Sequence, residues 1–209
     1  MFYKFMVHIV RGIVWILNGN VHYENRQQLP PNDSYIIVAP HRTWWEPLLF
    51  ALAVSPTPCA FMAKKELFQN PFIRFILKHA NAFPVDRQHP GPSTIKTPVR
   101  DLNARHLSLI MFPSGTRYST QLKGGAVLIA KLSKKPLVPV VYQGPITFTG
   151  FLKRQRCTIK FGQPIKIAKD MKMTEQNTEI VNQQMQQAWD AIDYSIDPSF
   201  HYRPLPKKK

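Results

Sequence analysis

A histidine and a glutamate stand five positions apart in the segment Pro40-His41-Arg42-Thr43-Trp44-Trp45-Glu46-Pro47. Five steps of an α-helix rotate about 500°, so the two side chains cannot share one helical face. They can meet only if His41 lies in a loop and Glu46 in the first turn of the helix that follows. The carboxylate then holds one ring nitrogen and leaves the other free as a general base. No protein nucleophile accompanies the pair, so the nucleophile would be a hydroxyl carried by the substrate. A capping histidine beside a solvated glutamate gives the same spacing.

A second dense segment is Phe112-Pro113-Ser114-Gly115-Thr116-Arg117. Gly115 lets the backbone turn so that amide groups face one concavity, Ser114 and Thr116 add hydroxyls, and Arg117 offers a planar fork for phosphate. The competing reading is a plain β-turn with an exposed arginine. Lys64 and Arg87 each fall just after a probable strand, and singly each reads as a solvated surface charge. Taken with Arg117 and His41, they suit a phosphorylated substrate that bears a hydroxyl. Cys59 and Cys157 have no CxxC spacing, which excludes zinc ribbons, clusters and disulfide scaffolds.

Short elements must carry these groups. Residues 35–39 read as a strand, 44–54 as a helix, 58–62 as a strand, and 71–78 as a helix with Pro71 at its first position. A brief strand at 82–85 precedes a helix to residue 106 capped by Ser93 or Thr94. Residues 107–112 form the clearest buried strand, followed by a helix at 125–133 and a strand at 137–142. This alternation predicts an α/β domain with a mixed, largely parallel central sheet covered by helices. In such a sheet, loops past the carboxyl ends of strands carry the functional groups. After Gly144 the period changes. Thr158, Lys160, Gly162 and residues 164–167 read as antiparallel edge material, and Val181, Met185, Ala188 and Ile192, with Trp189 beside them, mark the last helix. The expected division is an amino-terminal helix and connector (1–33), a catalytic core (34–145), and strands, helix and basic tail (146–209) completing the same domain.

The chain of 209 residues carries 28 Lys and Arg against 12 Asp and Glu, a net charge of +16, with 44% hydrophobic residues. So apolar a chain is no disordered basic tail; the charge sits on a folded body. The surplus implies an anionic partner: nucleic acid, phospholipid headgroups or an acidic carrier protein. Nucleic acid is disfavoured, because no recognised binding motif is present and the basic residues are not interleaved with stacking aromatics. At the amino terminus, Lys4, His8, Arg11 and Asn18 recur at helical steps opposite Phe5, Met6, Ile9, Ile13 and Ile16. The run falls short of the ~20 apolar residues that span a bilayer. Such a helix either lies in the membrane interface with Trp15 near the boundary or packs on its own domain.

The blocks His41-x4-Glu46, Lys64-Lys65-Glu66-Leu67, Phe83-Pro84-Val85-Asp86-Arg87, Phe112 to Arg117 and Pro136-Leu137-Val138-Pro139-Val140 together resemble the glycerolipid acyltransferases. Within them the order is most similar to bacterial 1-acyl-sn-glycerol-3-phosphate acyltransferases. The resemblance implies transfer of an acyl chain from a thioester, on acyl carrier protein or coenzyme A, to the 2-hydroxyl of lysophosphatidic acid. Phosphatidic acid for phospholipid synthesis is the product; another lysophospholipid or glycerol 3-phosphate is the alternative acceptor. It makes His41 the base and Glu46 its positioner. It assigns the acceptor phosphate to Arg117 with Lys64 and Arg87, in a pocket built on Phe112, Pro113, Ser114, Gly115 and Thr116, with Pro139 shaping the floor. No metal or organic cofactor is implied. The family's amino-terminal helical motif implies docking on the cytoplasmic face of the cell membrane, as a peripheral or monotopic protein. Two departures stand out: the first block usually ends in Asp rather than Glu46, and Ser114 replaces a usual Glu.

Overall fold

A computed structural model describes residues 2–202. The basic tail 207–209 lies outside the described residues. After helix α1 (Phe2–Leu17) and strand β1 (Val21–Glu24), the chain alternates β2 (Ile36–Val38), α2 (Glu46–Ala53), β3 (Cys59–Lys64), α3 (Pro71–His79), β4 (Ala82–Val85) and α4 (Ser93–Ala104). It continues through β5 (Ser108–Met111), α5 (Gly125–Ser133), β6 (Leu137–Gln143), α6 (Phe148–Leu152), β7 (Cys157–Phe161) and α7 (Glu175–Ile196). The seven strands form one sheet in the order β1-β7-β6-β2-β5-β3-β4. Every pairing is parallel except β6 with β7. The sheet is thus mixed and largely parallel, as expected.

Strand residues alternate between two cores because successive side chains point to opposite faces. Ile37, Ile110, Val138 and Val140 pack under α1 and α2, while Ile36, Val38, Leu109 and Val141 pack under α4, α5 and α7. Burial on both faces explains the unbroken apolar run of β2. Pro84 sits in β4, an edge strand, where its missing N–H leaves no gap in the ladder.

Four details differ from the sequence-based expectation. Residues 21–24, read as connector, form β1 and take up the edge beyond β7, so β7 is antiparallel to β6 but lies inside the sheet. The five-residue helix α6, capped by the Thr147 hydroxyl on the Gly150 N–H, had no periodic signal to reveal it. Helix α4 starts after Pro92, without a side-chain cap from Ser93 or Thr94. Asn18 leaves the polar stripe of α1. Fully buried, it donates to the carbonyls of Phe151 (2.8 Å) and Gln155 (3.0 Å), tying the end of α1 to the α6 region.

Helix α1 itself has three faces. Val7 is buried and Tyr3, Val10, Val14 and Leu17 pack against the core; Lys4, His8 and Arg11 are exposed; Phe5, Ile9, Ile13 and Ile16 form an exposed apolar face. The helix both packs on its own domain and leaves an apolar stripe free. Among the described residues no helix is long and apolar enough to cross a membrane.

Candidate active site

Because β2, β3, β4 and β5 run parallel, their carboxyl ends share one edge of the sheet, in the spatial order β4, β3, β5, β2. Arg87, Lys64, the 112–117 turn and His41 are thereby set side by side, although His41 and Arg117 are 76 positions apart in the chain.

His41 lies in the loop after β2, and Glu46 is the first residue of α2. His41 Nδ1 is 3.0 Å from Glu46 Oε2, which also accepts the backbone N–H of Arg42 at 2.9 Å. Glu46 is wholly buried. A helix amino terminus favours a carboxylate there. Ionised, that carboxylate can only accept, so the ring proton sits on Nδ1 and Nε2 carries the free lone pair. The His41 ring stacks on Phe112, with centroids 3.9 Å apart and planes inclined by 22°. Phe112 therefore fixes the ring plane while Glu46 fixes its rotation. The extra methylene of Glu46, against the usual Asp, does not prevent the pairing.

The turn after β5 is built mostly from its own atoms. Gly115 has φ +69°, a left-handed conformation that suits glycine, and its N–H donates to the Phe112 carbonyl at 2.9 Å. The buried Ser114 hydroxyl donates to the Thr116 carbonyl at 2.8 Å, and the Thr116 hydroxyl accepts from the Tyr118 N–H at 3.3 Å. Pro113 places its carbonyl on the Lys123 N–H at 3.1 Å. The group this turn presents outward is thus Arg117 rather than a nest of amides. Among the described residues neither Arg117 nor Arg87 has a carboxylate within ion-pairing distance. Partial desolvation, and then the nearby Arg117, lower the Arg87 pKa; an arginine nevertheless stays charged in a protein. Two neighbouring guanidinium groups, with the Glu66 carboxylate acting on Arg87 only from beyond ion-pairing distance among the described residues, suit an anion. Lys64 stands at the rim, half exposed and 3.5 Å from Glu66. Beside it, Lys65 donates to Asp86 at 2.5 Å and fastens the end of β3 to the loop that carries Arg87.

An apolar cavity of about 640 Å³ opens between α1, α2, α3 and β3. Tyr3, Val10, Leu48, Ala51, Met62 and Leu77 are among its lining residues, and it reaches His41, Phe112, Lys64, Arg87 and Arg117 at one end. Its size falls within the roughly 300–1,000 Å³ of small-ligand sites. The sequence pattern singled out the cations and the histidine but not this cavity, whose walls come from four elements. A second cavity of about 520 Å³ meets His41 from the other side, lined by Arg42, Arg117, Asp193 and residues up to Tyr202. The sequence reading assigned nothing to Arg42 or Asp193.

A mostly buried, oriented histidine beside an apolar cavity and two arginines that have no ion-paired carboxylate among the described residues has the parts that acyl transfer to a phosphorylated alcohol needs. The Acyltransferase family model matches residues 20–143, and the chain belongs to that family. It is 44% identical to a 1-acyl-sn-glycerol-3-phosphate acyltransferase of Streptococcus pneumoniae, over 92% of this chain and 74% of that protein. A Bacillus subtilis protein of the same description is 37% identical over 91% of this chain and 98% of its own length. The crystal structure of the 1-acyl-sn-glycerophosphate acyltransferase PlsC from Thermotoga maritima superposes with a TM-score of 0.71, covering 96% of this chain and 83% of that one at 17% identity; it shares the fold.

Proposed function

We propose that this acyltransferase moves an acyl chain from a thioester to the 2-hydroxyl of 1-acyl-glycerol 3-phosphate, giving phosphatidic acid. The observation that carries the reading is the position of His41, paired with Glu46 at 3.0 Å, where the apolar cavity meets Arg87 and Arg117. The cavity suits the donor acyl chain, and the arginines suit the acceptor phosphate through charge-assisted hydrogen bonds. His41 Nε2 takes the hydroxyl proton as the acceptor oxygen attacks the thioester carbonyl. The carbon–sulfur bond breaks, and the proton passes to the departing thiol. Glu46 steadies the imidazolium formed on the way. The scheme uses no metal or organic cofactor; the thioester of acyl carrier protein or coenzyme A is the co-substrate. The relatives' descriptions favour lysophosphatidic acid over glycerol 3-phosphate or another lysophospholipid as acceptor.

The acceptor and product are lipids, and the exposed apolar side chains of α1 together with Phe72 and Phe75 of α3 offer a surface for a bilayer. Phe2 joins the two helices, its ring 6.0 Å from that of Phe75. Lys4, Arg11 and the exposed Trp15 flank this apolar surface, an arrangement suited to headgroups at the cytoplasmic face of the membrane. Cosedimentation with anionic vesicles, weakened by salt, is the expected behaviour of this surface.

The test is a turnover assay of the purified protein with lysophosphatidic acid, glycerol 3-phosphate and a neutral lysophospholipid, each with acyl carrier protein and coenzyme A donors in parallel. Phosphatidic acid should form with at least one donor. No product from lysophosphatidic acid with either donor would overturn the reading.

A further inference from the structure

Behind His41, on the side away from the acyl cavity, the chemistry proposed above leaves a charged cluster without a part. Arg42 is buried, and its Nη1 donates to the Tyr142 carbonyl at 2.6 Å and to Asp193 Oδ1 at 3.0 Å, while Nη2 donates to Asp193 Oδ2. Gln143 holds the same aspartate from β6: its Nε2 donates to the Asp193 carbonyl at 2.8 Å and to Oδ1 at 2.9 Å. The rings of Phe200 and Tyr202 lie 5.0 Å and 5.3 Å from the guanidinium carbon. Asp193 stands on α7, beyond residues 20–143 that the family model matches.

Arg42 is the residue between the base and its carboxylate. Its backbone N–H meets Glu46 Oε2 at 2.9 Å, the oxygen that His41 Nδ1 also contacts. The side chain of Arg42 is therefore anchored on α7 and β6 while its backbone sets the Glu46 carboxylate. Helix α7 does not need this pair in order to dock. Val181, Met185, Trp189 and Ile192 are buried on the sheet, and the Trp189 indole donates to the Val38 carbonyl at 3.0 Å. What the Arg42–Asp193 pair adds is a fixed backbone at the base.

We propose that Asp193 is a positioning residue for the His41–Glu46 pair, acting through Arg42. The proposal rests on the acyl-transfer reading for its readout. Asp193→Asn keeps the shape and removes the charge, leaving a buried guanidinium whose partner no longer holds it in one geometry. A displacement of about 1 Å at a reacting group costs on the order of a hundredfold in rate, so kcat per folded molecule should fall about tenfold to a hundredfold with both KM values within about twofold. Asp193→Glu should recover part of the loss. In an Arg42→Ala background, Asp193→Asn should change kcat no further, because the connection is already cut. Should Asp193→Asn fold poorly, Gln143→Ala loosens the same carboxylate and should give a smaller fall with the same split. An unchanged kcat, a fall matching only the folded fraction by circular dichroism, or equal losses in both Arg42 backgrounds would overturn the proposal. Failure of the wild-type protein to make phosphatidic acid would instead strike at the reading beneath it.

Discussion

The two sides of His41 are built on opposite principles. Toward α1, α2 and α3 the wall is apolar, its side chains come from four elements, and its rim is exposed: Trp44, Leu48 and Leu67 are each more than two-fifths accessible. Toward α7 the wall is polar, and each group is held by another: Glu46 by Arg42, Arg42 by Asp193, Asp193 by Gln143. On the proposed reading, a base that works beside an alkyl chain cannot take its hydrogen bonds from that side, because a polar group facing apolar walls is left without a partner. Its polar contact comes from Glu46, which the Arg42 backbone N–H also holds, while Phe112 on the cavity side stacks on the ring without a hydrogen bond. Arg117 lines both cavities, as His41 does, whereas Arg87 lines the apolar one and not the cavity toward α7.

The largest effect should come from the base. Asn at position 41 places an N–H near the site of Nδ1 and so can still satisfy Glu46, but it has no Nε2 lone pair. His41→Asn should lower kcat by on the order of 10²- to 10⁴-fold with the circular dichroism spectrum unchanged. Substantial turnover in this variant would mean that neither wall is organised around His41.

A smaller effect is expected at the junction. A hydrogen bond to a charged group contributes about 1.5–3 kcal/mol, so Arg117→Ala should raise the acceptor KM about tenfold or more. The donor KM should stay near its original value. A rise in the donor KM instead would assign Arg117 to the α7 side.

How far the sequence displayed these two walls depends on chain separation. His41 and Glu46 are close enough that helical geometry alone requires a loop-to-helix junction, and the junction is there. Lys64, Arg87 and Arg117 were legible once the sheet was read as parallel, since parallel strands deliver their carboxyl ends to one edge. Asp193 lies 151 residues from Arg42, on a helix whose apolar period reports only which residues face the core. Nothing in that period says which polar residue at its margin meets a buried arginine. The same limit applies to α1: spacing groups Phe5, Ile9, Ile13 and Ile16 together, but Tyr3, Val7, Val10 and Val14 form a second apolar face, and only packing shows which one is covered. Strand β1 escaped for a simpler reason. Four residues, one of them exposed and none fully buried, give too short a pattern to separate strand from connector.

The apolar wall can be tested by filling it. Ala51 is buried on α2 and lines the cavity. In a close-packed interior, Ala51→Leu takes up the room of about three chain carbons. The preferred donor should shorten by roughly that amount while the rate with short chains stays close to that of the original enzyme. Overpacking of this kind costs about 1–3 kcal/mol of stability, so competing donors in one mixture is the cleaner readout. An unchanged chain-length preference would place the acyl chain outside this cavity.

The smallest expected effect concerns the rim, where Lys65 and Asp86 join β3 to the Arg87 loop. The Lys65 ammonium, then the His89 and Gln88 backbone amides, lower the Asp86 pKa from 3.8 to about 2. A carboxyl whose pKa is lower in the folded state than in the unfolded chain stabilises the fold above its unfolded value, near 4, and loses that contribution as pH falls through its folded value. Between about pH 4 and pH 2 the folded protein should therefore lose the part of its stability due to Asp86. Asp86→Asn lacks the titrating group, so the gap in Tm between it and the original protein should be constant above pH 4 and shrink below it. The pair is exposed and the gap small. Its larger consequence is local: Asp86 accepts the N–H groups of Gln88 (2.9 Å) and His89 (3.0 Å) with its other oxygen and so shapes the loop that carries Arg87. A gap unaltered down to pH 2 would show that the carboxylate is not engaged with Lys65 in solution. It would also leave the loop bearing Arg87 without that fastening to the end of β3.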